Sequence, residues 1–360
     1  MCEEKGRKSM KAITQAEFGS ADVLELSEVP KPQPRPGEVL VRVRGASPNP
    51  WDWHYMRGMP YISRLAGGAG LRRPKNTVLG SDVSGEIEAV GAGATRFQAG
   101  DEVFGFVGFG GFAEYVAVPE DFLGLKPANL TFAQAATVPL AGMTAIQGLR
   151  DVGEVRAGQR VLIIGASGGV GSFAVQLAKS FGGVVTGVCS GRNAELVRSL
   201  GADHVIDYTH EDVTRSDQTY DVIFQLAGTT SPAAFRRILT PSGTLVLSSG
   251  DSTGRLIGPM NRMVKAAALS TFIRQDLRPL TTKRSREDLE LLRTLIEDGT
   301  LTPVIERTYD LSQTAEAVRH LETGRVRGKL AISVRRDDEP DQAHQDATTR
   351  RVSTATRASV

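Results

Sequence analysis

The stretch VLIIGASGGVGSFAVQLAK, residues 161–179, decides the fold of this chain. A short β-branched run leads directly into a glycine-rich turn, and a segment with helical periodicity follows the turn. The turn has the pattern A-x-G-x-x-G, formed by Ala166, Gly168 and Gly171. Gly168 lets the backbone approach a pyrophosphate, Gly171 lets the helix pack closely on the strand, and the helix start presents N–H groups to phosphates. Because strand, glycines and helix coincide, the stretch predicts a dinucleotide-binding unit.

Strands and helices alternate around this unit, over residues 132–304. The apolar runs VVTGVC, HVIDY, DVIFQLAG and TLVLSS are separated by the helical segments RNAELVRSL and SPAAFRRILT. This alternation is typical of right-handed crossovers, so we predict a doubly wound parallel sheet, a Rossmann domain. EDLELLRTLIEDG and SQTAEAVRHLETG predict two more helices, the first ended by Gly299 and the second capped by Ser312 or Asp310. The Met-rich segment NRMVKAAALSTFI, residues 261–273, fits either a core helix or a pocket lid.

The region before residue 132 has a strand-like pattern without predicted crossover helices. VLVRVRGA alternates with period two, four prolines between Pro30 and Pro36 interrupt pairing, and glycines recur in GDEVFGFVGFGGFAEYVAVP. These features predict a compact, curved domain of irregular antiparallel sheet over residues 10–131. The fold class is therefore α/β with two domains. Residues 1–9 and 336–360 are predicted to be disordered tails, the second because it has no aromatic residue and no periodicity.

The composition excludes several classes of function. The net charge is only +2 and basic residues are scattered, so no nucleic-acid or anionic-membrane partner is expected. No run approaches the roughly 20 apolar residues of a membrane helix, and MCEEKGRKS lacks a signal-peptide core, which together predict a cytoplasmic protein. Two cysteines, Cys2 and Cys189, cannot form a disulfide framework or a Cys-rich zinc site.

The end of the second predicted strand indicates which dinucleotide binds. An NAD site places an acidic residue there, about 20 positions after the glycines, to bind the ribose 2′-hydroxyl. Here the sequence reads TGVCSGRNAE, in which Ser190, Arg192 and Asn193 precede the first acid, Glu195. A guanidinium suits a 2′-phosphate and a carboxylate would repel it, so NADPH is the predicted cofactor. Tyr208, after the third strand, is a further candidate contact.

The order of these segments resembles the medium-chain dehydrogenase/reductase superfamily from Met10 to Val334. The combination of NPWDWHYMRG, VLGSDVSGEIEAVG, AGDEVFGF and GGFAEYV is similar to its zinc-free branch of quinone oxidoreductases and alkenal or enone reductases. The resemblance implies a GroES-like domain over residues 10–131 and 305–335, closed by the last helix and strand. It also implies a Rossmann NADP-binding domain over residues 132–304, a cofactor in the cleft between the domains, and a homodimer joined along the Rossmann domain.

The resemblance further implies that no catalytic metal is bound. Where the alcohol dehydrogenase branch has its three zinc ligands, this chain has Asn49, Ser81 and Leu140, which supply neither thiolate nor imidazole. Without a Lewis acid, hydride transfer from NADPH to a quinone or an α,β-unsaturated carbonyl is the expected chemistry. Two alternatives stay open: an NADP-dependent alcohol dehydrogenase or carbonyl reductase, and a non-catalytic, crystallin-like NADPH-binding protein.

Three residues are candidates for chemistry. By resemblance Asn49 faces the nicotinamide; the alternative is an Asn that stabilises a turn. His54 and Tyr55 lie on a short helix begun by NPWDWHY, where either could donate a proton to a substrate oxygen or line the pocket. Asp52 is expected to cap this helix, and Asp82 to anchor a turn or loop.

The remaining candidates are cofactor contacts. The glycine-rich turn and the end of the second strand supply most of them, strand ends at the carboxyl edge of the sheet supply others, and the resemblance adds Thr144 and Lys329. The full set is Asn49, Thr144, Ala166, Ser167, Gly168, Gly169, Val170, Gly171, Ser190, Arg192, Asn193, Tyr208, Leu226, Ala227, Ser248, Ser249 and Lys329.

Overall fold

The computed structural model describes residues 8–59, 61, 70–248 and 274–334. Ser249, the Met-rich segment 261–273 and the predicted tail 336–360 lie outside the described residues. At the amino end, Ser9 already belongs to a strand and pairs with Pro30, one residue before the predicted start at Met10.

The amino-terminal part of the chain forms antiparallel sheet. Its strands are β1 Ser9–Thr14, β2 Glu25–Pro30, β3 Glu38–Ser47, β4 Asp82–Val90, β5 Glu102–Phe106, β6 Tyr115–Pro119 and β7 Leu123–Leu125. β1 and β2 pair with each other. β3 pairs with β4 and β6, with register shifts at Leu40 and Val43, which matches the irregular sheet expected from the prolines and glycines.

The central part forms a six-stranded parallel sheet. Its strands are β8 Arg160–Ile164, β9 Val184–Cys189, β10 His204–Asp207, β11 Tyr220–Gln225, β12 Leu239–Leu247 and β13 Asp276–Pro279. The spatial order is β10-β9-β8-β11-β12-β13. Numbered from β8 this is 3-2-1-4-5-6, the order of a Rossmann sheet. The predicted fold class is confirmed, and the sixth strand, short and at the sheet edge, was not predicted.

Two carboxyl-terminal strands return to the first sheet. β14 Ile305–Asp310 and β15 Lys329–Ser333 are parallel neighbours, and β15 pairs antiparallel with β3. The resulting seven-stranded sheet has the order β14-β15-β3-β4-β5-β7, with β6 paired on β3. Through β15, the end of the chain reaches the strand that precedes helix α1, Pro50–Arg57.

The other helices lie mainly around the parallel sheet. They are α2 Phe132–Ala135, α3 Pro139–Ile146, α4 Gly169–Ser180, α5 Ala194–Ser199, α6 Pro232–Phe235, α7 Arg286–Glu297 and α8 Thr314–Glu322, with a π-helical segment Gln147–Val152 after α3. The predicted helix SPAAFRRILT is α-helical only in α6, because a 3₁₀ turn follows at Arg236. Gly299 has a φ of +81° just after α7, as a helix-ending glycine should.

Four hydrophobic clusters lie in the described part of the chain, and the two largest pack the two main sheets. Phe173, Leu177 and Phe224 are fully buried between α4 and the parallel sheet, while Val41 and Ile332 are fully buried in the core of the seven-stranded sheet. Helix α3 packs against β4 and β5 of the seven-stranded sheet and against helix α4, which itself packs on β8 and β9, so it joins the two sheets. The turn after β8 and the start of α1 therefore lie close together, as the contacts of β15 below show.

Candidate active site

Helix α1 begins in a closed hydrogen-bonded arrangement. Its N-cap is Asn49, whose backbone is extended, and Pro50 occupies the first helical position. The carboxylate of Asp52 reaches back and accepts a hydrogen bond from Asn49 N at 2.8 Å, which is half of a capping box. The helix ends at Gly58, with φ of +59°. Asp52 thus contributes to the helix cap, as predicted, from inside the first turn.

Five residues form a buried polar cluster at this helix start: Asn49, Asp52, Ser81, Asp82 and Lys329, none more than 5% exposed. Asn49 Nδ2 donates to Asp82 Oδ2 at 2.9 Å and to Ser81 Oγ at 3.0 Å. Ser81 Oγ in turn donates to Asp52 Oδ2 at 2.8 Å. Lys329 Nζ donates to Asn49 Oδ1 at 2.5 Å and lies 4.0 Å from Asp82 Oδ2. The amide of Asn49 therefore connects both carboxyl groups with the ammonium group.

Burial dominates the electrostatics of this cluster. It raises the pKa of Asp52 to about 6, against hydrogen bonds from Asn49 N and Ser81. It raises the pKa of Asp82 to about 7, with the charge of Lys329 opposing the rise. Burial also lowers the pKa of Lys329, opposed by the charges of Asp82 and Asp52. The two carboxyl groups and the ammonium group therefore favour states in which not all three are charged.

The same cluster anchors neighbouring backbone. Asp82 accepts hydrogen bonds from Leu140 N at 3.2 and 3.3 Å, which fixes the start of helix α3. Asp52 Oδ1 accepts from Gly80 N at 3.2 Å, and Gly80 has φ of +101° with backbone of Gly111 and Phe112 where a Cβ would be. Asp82 is thus a loop anchor, as the sequence suggested, and both carboxylates tie separate chain segments to helix α1.

The residues at the three zinc-ligand positions do not fit a zinc ion. Asn49 and Ser81 direct their polar atoms at each other and at the carboxylates, and Leu140 has no ligating side chain while its backbone N–H donates to Asp82. The ammonium group of Lys329 in the same cluster would repel a cation. Over residues 8–59, 61, 70–248 and 274–334, no group of three or more His, Cys, Asp and Glu is arranged to hold a metal ion.

The glycine-rich turn, by contrast, leaves donors open. The N-cap of helix α4 is Gly168, which has no side chain to cap the first N–H groups of the helix. A Cβ on Gly171 would lie 2.1 Å from the carbonyl oxygen of Gly165, so only glycine allows this close packing of helix on strand. Asn193 Nδ2 donates to Ser167 Oγ at 3.0 Å and joins the turn to the end of β9. These residues fit a dinucleotide pyrophosphate.

Lys329 joins the turn to the buried polar cluster. Gly328 N donates to the carbonyl oxygen of Ser167 at 2.8 Å, and Gly168 and Gly328 form a parallel bridge. A Cβ on Gly169 would lie 2.9 Å from Lys329 Cδ. The lysine stem therefore passes beside the start of α4 while its ammonium group reaches Asn49. Lys329, which the resemblance implied as a cofactor contact, is therefore buried at this junction.

The residues predicted to bind the adenosine end of the cofactor lie at the ends of β9 and β10. Arg192 is exposed in a 3₁₀ turn, Gly191–Asn193, and Arg192 Nη2 donates to Arg325 O at 3.0 Å. Tyr208, after β10, is 63% exposed. Sequence reasoning missed Asp207, whose Oδ2 lies 2.4 Å from where a Cβ on Gly191 would be. Its position was readable only with the β9–β10 register, which pairs Asp207 with Cys189.

The other predicted cofactor contacts lie in helix α3, just after β11 and β12, and in the glycine-rich turn with the start of α4. Ser249 is the exception, because it lies outside the described residues. Thr144 Oγ1 donates to its own helix at Leu140 O, 2.6 Å away, and lies 2.8 Å from Thr282 Oγ1. A Cβ on Gly165 would lie 2.8 Å from Ala227 Cβ, so the residues just after β11 face the glycine-rich turn. Backbone hydrogen bonds hold Leu226 to β8 and Ser248 to β11. Ala166, Gly169 and Val170 complete the turn and the start of α4.

His54 and Tyr55 follow the buried polar cluster along helix α1. His54 stacks on Trp53, with ring centroids 3.7 Å apart. Tyr55 packs on Phe109 at 4.5 Å and accepts a hydrogen bond from Asn76 N at 2.9 Å. Both residues are half-buried. The aromatic surroundings of Tyr55 fit a pocket wall, and its hydroxyl is positioned by protein backbone.

Comparison with known proteins places the chain in a family. Residues 35–128 match the alcohol dehydrogenase GroES-like domain, and residues 200–332 match the zinc-binding dehydrogenase domain. The chain is 34% identical to 2-methylene-furan-3-one reductase of Solanum lycopersicum, over 90% of this chain and 79% of that protein. The chain belongs to the medium-chain dehydrogenase/reductase superfamily.

Further relatives within this superfamily agree. NADPH-dependent alkenal/one oxidoreductase, chloroplastic, of Arabidopsis thaliana is 34% identical, over 90% of this chain and 80% of that protein. The quinone oxidoreductase structure from Coxiella burnetii is 32% identical with a TM-score of 0.80, over 91% of this chain and 100% of that chain. The protein is thus an oxidoreductase with a nicotinamide-dinucleotide fold. In the part of the chain that the structure describes, no helix has the length and apolarity to span a membrane.

Proposed function

We propose that this protein is a zinc-independent, NADPH-dependent oxidoreductase that reduces quinones or α,β-unsaturated carbonyl compounds. One observation carries the proposal: the zinc-ligand positions are filled by a buried polar cluster that contains an ammonium group and contacts the dinucleotide turn. The chain keeps the cofactor site of its superfamily while its donor set does not suit zinc.

Each residue of the proposed dinucleotide site is assigned to one part of the cofactor. NADPH supplies a hydride from its nicotinamide C4 when it is bound. The open N–H groups at the start of α4 would hold the pyrophosphate, and Ser190, Arg192 and Tyr208 would hold the 2′-phosphate. Lys329 flanks the turn beside Gly169, and Thr144 lies in helix α3, which packs on α4.

The substrate class follows from the missing Lewis acid. A simple aldehyde or alcohol needs its oxygen polarised, and neither an amide, a hydroxyl nor leucine does this as zinc would. Quinones and conjugated enones are electron-poor without that help, so orientation and a hydrogen-bond donor suffice. The names of the relatives, an alkenal/one oxidoreductase, a furanone reductase and quinone oxidoreductases, support the same substrates.

Proton supply is assigned to the later residues of helix α1. The amide hydrogens of Asn49 and one lone pair of its carbonyl oxygen are already engaged inside the buried polar cluster. We therefore give Asn49 a positioning role and propose His54 or Tyr55 as donor to the substrate oxygen. A homodimer and a cytoplasmic location stay predictions; several relatives are named as chloroplastic or mitochondrial proteins.

Turnover of three acceptors tests this function. We expect NADPH oxidation with 1,2-naphthoquinone or a linear enone, weaker activity with NADH, and none with a simple aldehyde, before and after dialysis against EDTA. Activity lost with EDTA and restored by zinc, or turnover of the aldehyde, would favour a carbonyl reductase. Tight NADPH binding without turnover of any acceptor would favour a non-catalytic protein.

A further inference from the structure

A carboxylate faces the turn that we assign to the 2′-phosphate. Asp207 is the last residue of β10, and parallel pairing places it opposite Cys189, directly before the turn of Ser190–Asn193. Its Oδ2 lies 2.4 Å from where a Cβ on Gly191 would be, so any side chain at Gly191 would meet the carboxylate. Arg192, the next residue, carries the guanidinium group of the same turn.

The carboxylate is fixed in place and ionised. Asp207 Oδ1 accepts hydrogen bonds from Thr209 N at 3.0 Å and from Thr209 Oγ1 at 2.8 Å. Its Oδ2 lies 2.9 Å from His210 Nδ1. The bonds from Thr209 and the His210 contact hold the pKa of Asp207 down at about 2. The turn therefore carries the positive charge of Arg192 and lies beside the fixed negative charge of Asp207.

The two charges act in opposite senses on the two cofactors. A 2′-phosphate carries close to two negative charges at neutral pH, so a nearby carboxylate weakens its binding. The 2′-hydroxyl of NADH carries none, and a carboxylate is the usual acceptor for that hydroxyl in dinucleotide sites. Here the acid comes from the third strand of the sheet and not from the second, which is why the pattern TGVCSGRNAE alone indicated only NADPH.

We propose that Asp207 is a specificity-determining residue that limits the preference for NADPH over NADH which Arg192 creates. This inference rests on the proposed function, because it assumes that the 2′-phosphate binds at the turn of Ser190–Asn193. Asp207 acts through its charge on the ribose end of the cofactor, far along the dinucleotide from the hydride.

Dissociation constants of NADPH and NADH, measured by nicotinamide fluorescence without substrate, test the proposal. Asp207→Asn keeps an oxygen acceptor for Thr209 N and removes the charge. We expect this variant to raise the NADPH-to-NADH affinity ratio about fivefold, mainly by tighter NADPH binding, because one unit of charge is removed near the phosphate. Asp207→Ser, which can accept the same backbone hydrogen bond, should shift the ratio in the same direction.

Asp212 provides a matched control. It accepts from Thr214 N at 3.0 Å and Thr214 Oγ1 at 2.7 Å, nearly the geometry of Asp207 with Thr209. Asp212→Asn should leave the ratio within about twofold. An unchanged ratio in both Asp207 variants, or the same shift in Asp212→Asn, would overturn the inference. Arg192→Ala separates this from the proposed function: if it does not lower the ratio, the 2′-phosphate assignment itself is wrong.

Discussion

Helices α1 and α4 begin on either side of the Lys329 side chain, and they complete their first turns in opposite ways. At α1, the N-cap Asn49 and the Asp52 carboxylate are joined to Ser81, Asp82 and Lys329 in one buried polar cluster. At α4, the N-cap is Gly168, without a side chain, and the first N–H groups have no capping partner from it. The lysine contacts both starts, through Nζ at Asn49 and Cδ beside Gly169.

The difference separates residues that hold the fold from residues that bind a ligand. A polar group that already has its partners in the protein gains little from a ligand, because each new hydrogen bond replaces an existing one. Backbone N–H groups at an uncapped helix start gain a full set of partners from a phosphate. We therefore assign stability and positioning to the start of α1, and cofactor binding to the start of α4.

The largest expected effect comes from removing Lys329, the cation of the buried polar cluster. Lys329→Met leaves Asp82 and Asp52 buried beside Asn49 without an ammonium group, and breaking a buried pair costs about 3–5 kcal/mol. Urea unfolding of the cofactor-free protein at pH 8 should show this loss. The pKa values of Asp52 and Asp82 are raised in the folded chain, to about 6 and about 7, although the charge of Lys329 lowers both. Without Lys329 they rise further, so acidification stabilises the folded variant more than the folded wild type. Lowering the pH from 8 to 5 should therefore recover part of the loss.

Lys179 supplies the control for this variant. It pairs with Asp203 at 2.9 Å on the surface of α4, where its side chain is 35% exposed. Exposed pairs contribute only about 0–1 kcal/mol, so Lys179→Met should have a small effect with no recovery on acidification. Equal losses in the two variants would show that the cluster does not depend on its cation.

The sequence was sufficient for the open helix start and for the fold around it. The run of residues 161–179 carries its strand, turn and helix in consecutive residues, so local periodicity and glycine spacing describe it completely. Strands that alternate with helices after residue 132, and period-two strand patterns before it, predicted the two-domain α/β class. The structure confirms this class. Asp52 was correctly expected to cap helix α1, because Asp is a common capping residue, and Asp82 was correctly expected to anchor a turn or loop.

The buried polar cluster could not be predicted as a unit. It brings together residues from three distant segments, and Lys329 meets Asn49 only because β15 pairs with β3 from the other end of the chain. Asp207 was missed for the same reason, since its neighbour Gly191 is set by the pairing of β10 with β9. The edge strand β13 has four residues, two of them charged, and therefore no apolar run to reveal it.

The next effect concerns the rest of helix α1. Because the polar groups at the start of α1 are already hydrogen-bonded within the protein, the proton donor from this helix should be His54 or Tyr55. The hydroxyl of Tyr55 is already positioned by Asn76 N among aromatic rings, which fits a wall, so we assign the proton to His54. His54→Gln should lower both kcat and kcat/KM about 100-fold, as loss of a general acid does, and Tyr55→Phe less than about threefold. Steady-state rates with 1,2-naphthoquinone measure both. An unchanged kcat in both variants would mean that solvent supplies the proton.

The smallest effect tests the open start of α4 by closing it. Gly168 has φ of −82° and ψ of −179°, an extended conformation that any residue adopts, and a Cβ there would meet only Gly165 O, at 3.3 Å. In Gly168→Ser the hydroxyl can cap the N–H groups that we assign to the pyrophosphate, so NADPH affinity should fall about tenfold. Thermal unfolding of the cofactor-free variant should stay near the wild-type midpoint, because serine is a good N-cap. Gly168→Ala is the matched control: its Cβ also obstructs the cofactor, but without a capping oxygen it should unfold at a lower temperature than the serine variant. Unchanged NADPH affinity in both variants would contradict the assignment of this helix start to the cofactor and remove the contrast between α1 and α4.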